Sequence, residues 1–156
     1  MPFILDYRCP PEAIEKLQKL DDLHYFNAGK LVYPAISGHP DIFMTKIGGK
    51  IIHAPNIPSD TLDFLKSLNI ELVEGKLPVG FRYPQTARYN VLADENIAIL
   101  SSHSDEVIRD LCSGLDIIEV KQGYIACNLA KIGNSYICSD LGIEKAMLER
   151  GLPCFY

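Results

Sequence analysis

The chain has no apolar run long enough to cross a bilayer. No signal peptide is expected either, because Met1-Pro-Phe-Ile-Leu-Asp-Tyr-Arg reaches charged residues too early for a signal h-region. A cytoplasmic protein without a membrane partner is therefore expected. Positive charge is in deficit: 15 Lys and Arg stand against 20 Asp and Glu, a net charge of -5, which argues against a broad phosphate-binding surface and leaves room only for a local patch. No two of the five cysteines (Cys9, Cys112, Cys127, Cys138, Cys154) have the Cys-x-x-Cys spacing. No zinc motif and no disulfide framework is therefore expected, and the cysteines read as free thiols, mostly in apolar, buried runs. Gly-x-Gly-x-x-Gly is absent, and Ile47-Gly48-Gly49-Lys50 lacks a Walker spacing, so no nucleotide cofactor is expected. Nor is a resident metal expected. No Ser-His-Asp triad can be argued from spacing, since a triad is a three-dimensional arrangement.

The composition favours folding. With 156 residues, 47% apolar and 22% charged, the chain is long enough for one domain with a real core. Its organisation is a weak internal repeat. Asp41-Ile-Phe-Met-Thr, Asn90-Val-Leu-Ala-Asp and Asn128-Leu-Ala-Lys-Ile each open an apolar run. A turn and a second apolar run follow each one, then a helix-like segment and another short strand.

The spacing predicts a leading strand-helix-strand segment over residues 1–37, with a helix from Pro10 to Leu20 whose Ile14, Leu17 and Leu20 share a face. Repeat units follow at about 38–80, 81–122 and 123–156. In the first, the Gly48-Gly49 pair marks a hairpin, and Ser59 or Asp60 caps a helix ending near Leu68. In the second, Ser104 starts a helix with an apolar stripe through Val107 and Leu111, running to about Cys112. In the third, Asp140 supplies turn and cap chemistry before a helix from about Gly142 to Glu149. The fold class is α/β, of repeated ββαβ units, and the polar residues Asp41, Asn90 and Asn128 should converge near one end of the assembly.

This pattern resembles the pentein superfamily, the five-bladed α/β propellers, and within it a Clostridium-type bacterial group. The chain is similar to a partial propeller, shorter than a full pentein. The superfamily holds guanidino-modifying hydrolases and amidinotransferases as well as non-catalytic members. The resemblance implies that Asp41, in Gly38-His39-Pro40-Asp41-Ile42-Phe43, is the carboxylate that grips a guanidinium, a pairing of two planar bidentate groups. It implies that Arg88, in Thr86-Ala87-Arg88-Tyr89-Asn90, holds a ligand carboxylate while Asn90 fixes backbone. The histidine expected in a later unit has no counterpart in residues 121–128, and Cys154 lacks the glycine-rich surroundings of the expected nucleophile.

Other readings stay open for individual residues. His39 sits in a loop, where it positions backbone or touches a ligand. Asp41 caps a turn or faces a pocket. Arg82 and Arg88, with Phe81 and Tyr89, form a binding patch or a packed linker with outward arginines. His53 reads as a half-buried strand-edge residue and His103 as a group near a helix start. The ligand-binding candidates are His39, Asp41, Arg82, Arg88, Asn90 and Asn128, with no catalytic residue among them. The expected function is non-catalytic binding of a small guanidino or amino-acid-like ligand, or of a protein. One alternative is a guanidino-group hydrolase or amidinotransferase relative that takes Cys and His from other sequence or another subunit. Another is a structural module. Homo-oligomerisation through an open strand edge near Tyr156 is expected, without nucleic acid or membrane as partner.

Overall fold

The computed structural model of the chain describes residues 2–156. It opens with β1 (Phe3–Asp6), α1 (Pro11–Leu17) and β2 (Leu23–Phe26), and β2 runs parallel to β1 with Phe3 opposite Leu23. Prolines at the start of α1 cost nothing, since the first helical amides have no intrahelical acceptor. The helix is shorter than its apolar pattern. The amides of Leu20 and Asp21 both close onto the Leu17 carbonyl, turning the chain so that β2 can lie beside β1. Leu20, expected on the buried face, is left 72% exposed.

Three ββαβ units follow. The first is β3 (Met44–Ile47), β4 (Lys50–His53), α2 (Ser59–Ser67) and β5 (Glu71–Glu74). The second is β6 (Leu92–Ala93), β7 (Ile97–Ser101), α3 (Glu106–Leu111) and β8 (Asp116–Val120). The third is β9 (Leu129–Ile132), β10 (Ser135–Cys138), α4 (Leu141–Glu149) and β11 (Cys154–Phe155). In each unit the first two strands form an antiparallel hairpin, and the chain crosses through the helix to add the last strand parallel to the second. Gly48 and Gly133 occupy the left-handed region at two of the hairpin turns, at φ +57° and +59°, where a Cβ would be strained. The fold is thus α/β, with a leading strand-helix-strand segment and three repeated ββαβ units.

Helix starts differ from the sequence expectation in two units. No side chain caps α2; the Asp60 carboxylate instead accepts from the amide of Thr61 at 2.8 Å. In α3 the cap is Asp105, whose carboxylate accepts from Val107 N at 3.0 Å, while Ser104 Oγ accepts from Ser101 N. Val107 of the expected stripe still packs against the core. Ile108 and Cys112 become the buried face, and Leu111 is exposed. Asp140 does cap α4, accepting from Ile143 N at 2.9 Å.

The core has two clusters, and β7 joins them. All five of its residues are buried. Because side chains alternate across a strand, Ala98 and Leu100 enter the cluster shared with Phe26, Phe43, Ile52 and Ile108, whereas Ile97 and Ile99 enter the cluster with Ile118, Tyr136, Ile143 and Met147. Helix α4 packs over β8 of the preceding unit, which ties the third unit to the second. Among the described residues, no helix is long and apolar enough to cross a membrane.

Candidate functional site

The segments leading into the first strands of the three units lie together. Asp41 sits in a single 3-10 turn, Pro40–Ile42, with His39 immediately before it; the turn closes through Ile42 N on His39 O and Phe43 N on Pro40 O. Asn90 immediately precedes Val91 and β6 and is fully buried. Cys127 lies just before β9, inside a turn closed by Asn128 N donating to Ile125 O.

Asn90 is the hub. Its Nδ2 donates to Asp41 Oδ2 at 2.9 Å, to the Asp41 carbonyl at 3.1 Å and to Cys127 Sγ at 3.3 Å. Its Oδ1 accepts from Cys127 N at 3.3 Å. One buried amide therefore clamps backbone and side chains of all three units, and losing it would leave several polar groups without partners. The Cys127 thiol donates to Asp41 Oδ2 at 2.8 Å, and His39 Nδ1 stands 4.0 Å from Cys127 Sγ.

The third converging position is thus Cys127 rather than Asn128. Asn128 turns away, donating to the Tyr124 carbonyl at 2.7 Å and accepting from Ser139 Oγ at 2.8 Å. Cys127, read from sequence as a buried thiol, is exposed, whereas Cys112, Cys138 and Cys154 are buried. No sequence signal marks it, since it lies 86 residues from Asp41 and one residue before the repeat's polar position. Burial among the surrounding loops pushes the thiol up to about 12, and the charge of Asp41 and the bond to its carboxylate push the same way, against the Asn90 amide. The thiol is therefore held protonated near neutrality.

Beside this cluster lies a cavity of about 320 Å³ whose lining includes Ile4, Asp41, Met44, Lys46 and Ile51. Its lining includes one acidic and one basic residue among mostly apolar ones. The arginine candidates lie elsewhere. Arg88 donates to the Pro78 carbonyl and lines a separate cavity of about 330 Å³ with Gln85, His103 and Asp105. Arg82 stacks over the Phe81 ring at 5.9 Å and, with Tyr33 and Tyr83, borders another. His103 meets the Tyr83 ring edge-on at 5.2 Å. His53 is 5% exposed rather than half-buried, because the parallel pairing with β5 covers it and its Nδ1 lies 3.0 Å from the Ala54 carbonyl. Above the site, Tyr124 meets Thr86 Oγ1 at 2.6 Å; burial raises its hydroxyl to about 12, partly offset by that bond and reinforced by Tyr33 and Cys127.

The fold and site define an α/β repeat protein in which polar side chains of three successive units meet where their hairpins begin. The chain belongs to DUF6873, a family of unknown function, which residues 4–156 match. No curated protein matches it. Among solved structures it is similar to SxtG, an amidinotransferase from Microseira wollei in the saxitoxin biosynthetic pathway, at 20% identity and a TM-score of 0.47. That likeness covers 69% of this chain, and the chain spans 32% of the other protein's length.

Proposed function

We propose that the chain binds a small guanidino or amino-acid-like cation at Asp41 and, by itself, holds it without transforming it. The carrying observation is that Asp41, whose carboxylate Asn90 holds at 2.9 Å, lines the 320 Å³ cavity together with Lys46. A planar cation pairs with Asp41, a methylene stem lies along Ile4, Met44 and Ile51, and Lys46 receives the ligand carboxylate. Cys127 touches Asp41 but carries its proton, and a protonated thiol is a poor nucleophile. Calorimetry with arginine and with agmatine, its analogue without a carboxylate, tests this. Arginine binding that Asp41→Ala abolishes, with weaker binding of agmatine, agrees with the reading. No heat with any guanidino compound, or equal binding by the variant, sinks it.

The 2.8 Å contact of thiol and carboxylate favours a second reading, guanidino-group chemistry at Cys127. A cation seated on Asp41 offsets the charge that helps keep the thiol protonated, so ligand binding would lower its pKa. Thiolate attack on the guanidinium carbon would expel ammonia, and water would then release a ureido product. Ammonia release from arginine that requires Cys127 would move the protein to this class. We also take the β11 edge, with Phe155 and Tyr156 at 61% and 70% exposure, as a contact between copies, and the cytoplasm as the location. Light scattering of a strand-blocking variant, Phe155→Pro, reads the contact: a dimer unchanged by it refutes this assignment.

A further inference from the structure

We propose that His39, Asp41 and Cys127 form a binding site for a zinc-class divalent cation that bridges the first and third units. Among the described residues these are the only such group of potential ligands, and their donor atoms all lie within 4.8 Å of one another. The donors are one imidazole nitrogen, one carboxylate oxygen and one sulfur, a borderline-soft set that suits zinc over magnesium or calcium.

The spacing is close to what a metal needs. Bonds of about 2.0–2.3 Å in tetrahedral geometry set neighbouring donors roughly 3.3–3.8 Å apart. Cys127 Sγ and His39 Nδ1 are at 4.0 Å, and Cys127 Sγ and Asp41 Oδ2 are at 2.8 Å, joined by the thiol hydrogen. A cation replacing that hydrogen opens the second distance and draws in the first by a few tenths of an ångström. The thiol proton leaves to solvent, a metal–sulfur bond forms, and no redox change is involved.

An outer partner is already in place. The buried Asn90 amide donates to both the Asp41 oxygen and the Cys127 sulfur, as groups hydrogen-bonded to the ligands of built metal sites hold them in place. Three protein ligands leave a fourth tetrahedral position for water. The motif is invisible in the sequence because two of its ligands come from one turn and the third from a loop 86 residues further on.

The inference does not depend on the ligand reading, and its test uses the metal alone. The full chain is titrated with Co2+ as a spectroscopic stand-in and then with Zn2+, and thermal melting is followed with Zn2+. The expected result is a 1:1 thiolate-to-cobalt charge-transfer band, displaced by zinc, that Cys127→Ser removes. His39→Ala should weaken cobalt binding on the order of tenfold or more, and a zinc-dependent rise in melting temperature should shrink in both variants. No band, a band that persists in Cys127→Ser, or a zinc-induced rise equal in all three proteins overturns it. Because Cys127 is exposed, its serine variant should fold, and its circular dichroism without metal verifies this.

Discussion

Replacing Asp41 by asparagine should make Cys127 more reactive, although the change is in a residue that does not itself react. The thiol is exposed to reagents, yet burial among the loops and the Asp41 carboxylate at 2.8 Å place it at about 12. At pH 8 a thiol at that value is ionised in about one molecule in 10⁴, against about a quarter for an ordinary thiol near 8.5. The more basic thiolate is intrinsically the better nucleophile, which returns about thirty- to fiftyfold. Net alkylation by iodoacetamide should therefore be slower than for a free thiol by roughly fiftyfold, and a shift of half that size would still give about tenfold. Asp41→Asn removes the charge but not the burial, so it should recover part of this, about five- to tenfold. A time course of the Cys127 peptide by mass spectrometry reads both rates. Free-thiol reactivity in the unmodified protein, or no acceleration in Asp41→Asn, would refute the electrostatic account.

Asp105→Ala should cost about 3–5 kcal/mol, since it removes the α3 cap and the acceptor for the amides of Lys76 and Leu77; denaturant unfolding checks it, and a loss below 1 kcal/mol would contradict it. Asp94 joins the turn before β7 to the third unit through Lys131 and Tyr136. Burial alone would raise its carboxyl, but the Lys131 ammonium, the Asn96 and Ile97 amides and the Tyr136 hydroxyl outweigh this and hold it far below the usual range. Its stabilisation is therefore present above the unfolded value of about 3.9 and is lost as pH falls toward the folded value. The melting-temperature gap between the unmodified protein and Asp94→Asn should narrow from pH 7 to pH 2, and a constant gap would count against the assignment. Gly75→Ala should destabilise by about 1–3 kcal/mol, because a Cβ there would lie 2.2 Å from the Tyr89 hydroxyl and dislodge its bond to the Leu77 carbonyl; an unchanged melting temperature would show that the linker yields freely.

Much of the architecture could be read from local signals. The Gly48-Gly49 pair marked a hairpin because a tight turn between strands needs backbone that a Cβ restricts. Asp140 marked a helix start because its carboxylate acts on backbone within three residues. Short apolar runs bounded by turns identified the strands for the same short-range reason. Where two neighbouring residues could do one job, the sequence did not choose: Asp105 rather than Ser104 caps α3 because its carboxylate also receives the Lys76 and Leu77 amides of the linker. The Asp41 and Asn90 segments were legible as recurrent polar positions, but their chemistry was not. Cys127 gained its carboxylate neighbour, its histidine and its Asn90 contacts only when the third unit packed against the first two. A sequence determines the conformations that neighbouring residues impose on one another. Which donors, acceptors and charges meet across 86 residues is decided by how the units pack, and a thiol's environment belongs to that packing.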